Sequence, residues 1–292
     1  MNDLSQGQYE ELTAEQQWEQ FSELKTAEDY INSLRGRNLD VFLLGERIVE
    51  PVDHPIIRPS INAMAESYIL AEEDPDLATA WSSISEQRIN RFLHVPESSQ
   101  DLVQKNKMQR RMGQLTGTCF QRCAGLDTLS VLFSITYDID EKHGTPYHTR
   151  YVNFLKKAQQ NNLIVGAGMT DPKGDRSKRP SDQADPDLFM HVTRRTEGGL
   201  YVKGAKAHMT GGLNSHWICV MPTMNMLEGD KDYAVIGMIP ATAPGLTYIY
   251  GRQSCDTRAL EAGDIDKGNA KYGGQETLVI FDNVFIPWEH VL

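Results

Sequence analysis

Cys119 and Cys123, in Thr118-Cys119-Phe120-Gln121-Arg122-Cys123, are the residues of this chain whose type and spacing point most directly to chemistry. Four apart in a predicted helix, they would share one face with their Cβ atoms about 5–6 Å from each other. That suits two corners of an iron–sulfur cluster, which ordinarily takes four protein ligands and more often has two residues between its cysteines. The competing account is two small buried hydrophobes on a core-facing stripe. Cys255 is in principle a third thiolate, and Cys219, inside an apolar run, reads as core.

Three other places carry candidate groups. Met169-Thr170-Asp171-Pro172-Lys173-Gly174-Asp175-Arg176 follows a short predicted strand and is crowded with turn residues. Its backbone N–H groups and the charges of Lys173 and Arg176 suit an anionic pyrophosphate. A solvated loop is the alternative, and no GxGxxG or P-loop pattern identifies a nucleotide. Lys206, His208 and Thr210 alternate along a strand end, an arrangement that would turn all three toward the heteroatoms of one ring; a β-turn with surface polar residues competes. Glu276 follows Gly273-Gly274-Gln275 and opens an apolar strand, where a carboxylate of raised pKa serves as general acid or base. An exposed strand-edge charge is the other reading. His54, next to Pro55, and His94, two residues before Pro96, read as local caps, His143 and His148 lie in a polar connector, and none of the four is assigned catalysis.

Positioning these groups requires a core, and 292 residues suffice for about two domains. Residues 1–25 are acidic and read as a solvated polar leader. Thr26 with Asp29 forms a capping box opening a short helix through Tyr30, Ile31 and Leu34, closed by Gly36. Ser60 is a suitable N-cap for an amphipathic helix carrying Ile61, Met64, Ala65, Tyr68 and Ile69. Residues 98–142 contain no proline and predict two helices or one bent one, weakened by Gly113, Gly117 and Gly125; a further helix follows over 151–160.

After residue 163 the pattern changes to short β-branched or aromatic runs, predicting strands over 188–195, 199–203, 216–221, 233–239, 246–250 and 276–285, the first two joined by a hairpin turn at 196–199. Helices followed by strands indicate an α+β protein: a helical domain over 26–162, then a mainly antiparallel β domain over 163–292. The final Phe285-Ile286-Pro287-Trp288-Glu289-His290-Val291-Leu292 leaves a strand without a closing element, so the chain reads as cut short.

Composition excludes several classes. A net charge of -11, from 29 Lys+Arg against 40 Asp+Glu, disfavours a nucleic-acid partner. No apolar run approaches the length of a membrane span and no secretory signal opens the chain, so a soluble cytoplasmic protein is expected. Four cysteines in a chain this long do not make a disulfide framework.

Six segments occurring in order closely resemble the 4-hydroxybutyryl-CoA dehydratase family: His54 to Asn62, Cys119 to Cys123, Met169 to Arg176, Gly204 to His208, Gly251 to Arg258 and Gly273 to Glu276. That family lies within the wider 4-hydroxyphenylacetate 3-hydroxylase group, whose fold is similar to acyl-CoA dehydrogenases: a helical domain, a middle β domain and a C-terminal helical bundle, the last absent here. The resemblance implies a homotetramer with FAD and a [4Fe-4S] cluster that acts on an acyl-CoA, converting 4-hydroxybutyryl-CoA to crotonyl-CoA by a flavin-mediated radical route and isomerising vinylacetyl-CoA. It also implies that Cys119 and Cys123 are two cluster ligands, the other two (a His and a Cys) lying beyond this chain. Thr210 would be a flavin-contacting hydroxyl, Glu276 a carboxylate near the substrate, and the 169–176 loop the holder of FAD. The runner-up is a flavin-dependent aromatic hydroxylase supplied by a partner reductase and lacking any cluster. A third reading, from a non-catalytic class, is a folded module that binds flavin weakly or assembles with another subunit.

Overall fold

The computed structural model of the protein describes residues 11–251, 253, 256 and 270–292. Thr13 caps helix α1 (Ala14–Glu19) through a capping box with Gln16, and Thr26 caps α2 (Ala27–Ser33) in the same way with Asp29. The second box is the expected one. The first corrects the reading of a solvated leader over 11–25, because Trp18 is only 8% exposed and rests on Trp217 and Phe154 with ring centroids 4.6 and 5.2 Å away, while residues 1–10 of that expected leader lie outside the described residues. One large aromatic ring buries enough area to hold a polar stretch down.

Helix α3 (Arg58–Glu73) starts before Ser60: Ile57 occupies the N-cap without a side-chain cap, and Pro59 needs no amide partner in the first turn. Ser60 is instead buried within the helix, donating to the Ile57 carbonyl at 2.9 Å and accepting from Asn214 at 2.7 Å. Strands β1 (Asp40–Leu43) and β2 (Glu46–Arg47), short helix α4 (Pro75–Ala78) and the hairpin of β3 (Thr79–Ser82) with β4 (Gln87–Asn90) interrupt the largely helical first half. These strands are too short to announce themselves by alternation.

Residues 98–142 form two helices, α5 (Ser99–Thr116) and α6 (Cys123–His143), followed by α7 (Tyr147–Gln160). α5 ends where Gly117 takes φ +63°, a left-handed conformation that glycine adopts without a Cβ clash. This break overturns the expectation of one helix carrying both Cys119 and Cys123: Cys119 lies in the connector and Cys123 is the first residue of α6.

The remaining strands are β5 (Val165–Gly168), β6 (His191–Arg195), β7 (Gly199–Thr210), β8 (Trp217–Val220), β9 (Gly237–Pro240), β10 (Leu246–Tyr250) and β11 (Glu276–Pro287). With β1 and β2 they form a six-stranded sheet ordered β2-β1-β10-β11-β7-β6 and a three-stranded sheet ordered β5-β8-β9. Pairing is antiparallel except β1 with β10 and β5 with β8. The run at 233–239 shortens to β9, while the run at 199–203 extends to Thr210, so 204–210 is strand rather than turn. One apolar core joins Tyr30, Tyr68, Phe154, Trp217 and Tyr248 across helices and both sheets. No helix among the described residues is long and apolar enough to cross a membrane.

Candidate active site

The connector between α5 and α6 is held from both sides. Gln121, 2% exposed and at φ +63°, donates from Nε2 to the Gln275 carbonyl at 2.9 Å and accepts from Asn214 Nδ2 at 3.1 Å. Gln275 donates in turn to the Ile56 carbonyl at 2.8 Å. Gly211 faces the same loop, and a Cβ added there would come within 3.4 Å of the Gln121 Cβ. Arg122 is buried, with Nη1 2.7 Å from the Ser67 hydroxyl and its guanidinium over the Phe92 ring at 4.7 Å. The interior thus takes Gln121 and Arg122 and leaves Cys119 exposed and Cys123 half-buried.

The two thiols remain partners despite the broken helix. The interaction between them pulls the Cys123 thiol down to about 6 and pushes Cys119 up. Backbone amides of the first turn of α6 reinforce the thiolate at Cys123, as expected at a helix N-terminus. Beside them runs the segment leading into β11: a Cβ added at Gly274 would lie 3.4 Å from that of Cys119.

Two residues on from Gly274, Glu276 pairs with Thr210 across the β11–β7 ladder and accepts a 2.7 Å hydrogen bond from its hydroxyl. The Glu276 carboxylate reaches solvent, but neighbouring protein removes part of its hydration and raises its pKa; the Thr210 hydrogen bond and the nearby His208 pull the other way. Cys119 is close enough for repulsion from the Glu276 charge to raise its own pKa further. Cys119, Cys123, Thr210, Glu276 and His208 therefore gather at one place.

Lys206 does not join them, which corrects the one-sided reading of Lys206, His208 and Thr210. Between β7 and β11 the register shifts, with Lys206 opposite Val279 and Met209 opposite Thr277, so two residues of β7 face one of β11. His208 absorbs this bulge at φ +50°. The alternation is broken there: His208 is exposed, whereas Lys206 is 1% exposed and hydrogen-bonded to Asp171 at 2.6 Å. In the 169–176 loop, Met169, Lys173, Asp175 and Arg176 are exposed, Thr170 and Gly174 are half-buried, and Asp171 is buried. Gly174 is pressed against Gln183, which binds both the amide and the carbonyl of Asp175.

Two adjacent sulfurs at a surface, one already inclined to thiolate, fit two of the four positions of an iron–sulfur cluster. Among the described residues no third His, Cys, Asp or Glu completes a metal-binding group, and Cys255 lies outside them. The exposed cations Lys173 and Arg176 on a braced loop fit the anionic part of FAD, while Asp171 of the same loop is buried against Lys206. His54 is the expected local cap, its Nδ1 accepting from the Ile56 amide at 3.2 Å. The residues that brace the site, Gln121, Asn214 and Gln275, carried no mark in the pattern of residue types; the one available signal was that Gln121 lies between the cysteines and Gln275 beside Glu276.

Residues 26–292 match the family model for the 4-hydroxyphenylacetate 3-hydroxylase N terminal region. The 4-hydroxybutyryl-CoA dehydratase/vinylacetyl-CoA-Delta-isomerase of Clostridium aminobutyricum is 54% identical over 271 residues, covering 92% of this chain and 55% of the relative. The oxygenase component of 4-hydroxyphenylacetate 3-monooxygenase from Thermus thermophilus is 25% identical over 272 residues, covering 91% and 54%. An oxygen-tolerant archaeal 4-hydroxybutyryl-CoA dehydratase structure from N. maritimus superposes with a TM-score of 0.88 at 62% identity, covering 91% of this chain and 53% of that one. A 4-hydroxyphenylacetate 3-monooxygenase oxygenase complexed with FAD shares the fold, with a TM-score of 0.73 at 22% identity, covering 92% and 55%. The chain spans about half the length of the curated relatives it matches.

Proposed function

This chain belongs to the 4-hydroxyphenylacetate 3-hydroxylase N-terminal family, and we propose that the protein it represents dehydrates 4-hydroxybutyryl-CoA to crotonyl-CoA and isomerises vinylacetyl-CoA. When bound, FAD would supply one-electron chemistry and a [4Fe-4S] cluster a Lewis-acidic iron. The observation that carries this reading is the Cys119/Cys123 pair set beside Glu276. A flavin-dependent aromatic hydroxylase of the same fold has no use for paired thiols at that position.

Within this reading each residue has a defined task. Cys119 and Cys123 provide two thiolate ligands, and Gln121 with Gln275 holds them at a fixed distance from Glu276. Glu276 exchanges a proton with the acyl chain, its raised pKa bringing it nearer to the operating pH. Thr210 orients the carboxylate through its hydroxyl. Lys173 and Arg176 bind the phosphates of FAD, and His208 lines the same strand end. The resemblance also carries a homotetramer, which light scattering on the full-length polypeptide tests.

The deciding experiment is anaerobic purification of the full-length polypeptide, with iron and acid-labile sulfide analysis, a visible spectrum, and chromatography of the products from 4-hydroxybutyryl-CoA. Flavin bands, about four irons per subunit and crotonyl-CoA formation are the expected result. Flavin without iron, and no crotonyl-CoA, overturns the dehydratase reading in favour of the hydroxylase.

A further inference from the structure

Lys206 is a fully buried ammonium whose three N–H bonds are all used inside the protein. It donates to Asp171 Oδ1 at 2.6 Å, to the Met169 carbonyl at 3.1 Å and to the Met221 carbonyl just past β8 at 2.9 Å. One residue further along β7, the Ala207 amide donates to the Thr170 carbonyl at 2.7 Å. Three consecutive loop residues are therefore pinned to two consecutive strand residues, and the end of β8 is tied to the same point.

A buried ion pair is a demanding way to anchor a turn, because both charges give up their hydration. Neutral side chains of similar volume would fill the same space. What the ammonium adds is direction, three donors converging from one atom onto three separate acceptors. Its location gives that direction a use. Beyond Ala207 the strand bulges at His208 and reaches Thr210, about 13 Å of strand from Lys206, and Thr210 holds Glu276. The 169–176 loop and the Thr210–Glu276 pair are thus two attachments on one strand, and Lys206 is the clamp of the first.

We propose that Lys206 is a positioning residue that sets the 169–176 loop, and with it the flavin, at a fixed place relative to Thr210 and Glu276, without touching the flavin itself. The proposal rests on the reading that this loop holds FAD.

The test uses the full-length polypeptide with Lys206→Met, the charge-balanced double variant Lys206→Met/Asp171→Asn, and Lys203→Met as a control elsewhere on β7. The double variant leaves no buried carboxylate unpaired, so it keeps the test alive should the single variant fail to fold. Three quantities are read: FAD affinity by fluorescence quenching, the melting temperature, and amide hydrogen exchange in peptides covering 169–176 and 279–286. In the double variant, melting should stay within a few degrees of the parent and 279–286 should remain protected. Exchange over 169–176 should quicken and FAD affinity should fall about tenfold or more, equivalent to the loss of one directed hydrogen bond, while Lys203→Met behaves as the parent. A double variant with unchanged FAD affinity and unchanged loop protection overturns the clamp alone. A parent protein that binds no FAD overturns the flavin reading, and this inference with it.

Discussion

Thr210 and Glu276 stand opposite each other on β7 and β11, and the Thr210 hydroxyl donates a 2.7 Å hydrogen bond to Glu276 Oε1. The bond opposes the effect of burial on the carboxyl, which still has a raised pKa. A carboxylate held this way has a fixed direction as well as a tuned proton affinity, and both matter for proton transfer to a substrate.

Thr210→Val keeps the β-branched shape and removes the donor. Glu276 then rises further, so the acid limb of the kcat/KM profile moves to higher pH, because the ionised base appears later in the titration. Loss of a hydrogen bond to a charged group should cost roughly 10–100-fold in rate. Activity measured from acidic to alkaline pH checks this, and an unchanged acid limb removes Glu276 from the proton-transfer role.

Cys119→Ala and Cys123→Ala should each reduce cluster loading of the full-length polypeptide while leaving FAD bound, since the 169–176 loop, which we propose holds the flavin, attaches at Lys206 rather than at the α5–α6 connector. Iron analysis and flavin absorbance on the same sample separate the two effects. Equal iron in both variants and the parent would rule out these thiols as ligands.

Gly125 and Gly113 should respond in opposite directions to alanine. A Cβ at Gly125 would lie 1.9 Å from the Val165 carbonyl oxygen, where α6 crosses β5, whereas a Cβ at Gly113 meets nothing within 4 Å. Gly125→Ala should therefore destabilise by about 1–3 kcal/mol or more through overpacking against backbone. Gly113→Ala should stabilise by about 0.5–1 kcal/mol through helix propensity. Thermal melts of the two single variants decide the matter.

The buried histidines should make the fold acid-sensitive. His290 is held neutral by burial with its pKa down at about 3, its Nε2 accepting from Trp18 at 3.2 Å, and burial also holds His216 well below its ordinary value. With the native pKa depressed, the unfolded chain takes up the proton first, so stability falls as pH drops below about 6.5. For His290 the slope is about 1.4 kcal/mol per pH unit until the native group itself protonates near 3. His290→Gln should flatten the stability-versus-pH curve over that window in urea titrations. An unchanged slope would mean that His290 already carries its proton in the native state.

Much of this arrangement was legible in the residues themselves. The capping box of Thr26 with Asp29, the break in 98–142, the hairpin at 196–199 and the strand over 246–250 follow from local propensity and turn chemistry, which act over a few residues and need no partner. The candidate groups, Cys119, Cys123, Thr210, Glu276 and the 169–176 loop, were likewise visible by type and spacing. Tertiary contact decided the rest. Trp18 turned a polar leader into packed structure because Trp217 and Phe154 offered it a surface. Of the three glycines expected to weaken the helices, Gly117 ends one, Gly125 admits a crossing strand and Gly113 does neither. Lys206 left its expected side because a bulge against β11 interrupted the alternation and the inward-turned Asp171 of the 169–176 loop offered it a buried partner. Spacing along a chain sets which residues can face together only while the element stays regular. Breaks, bulges and buried charge pairs are settled by neighbours distant in sequence, and here those neighbours bring Cys119 beside Glu276.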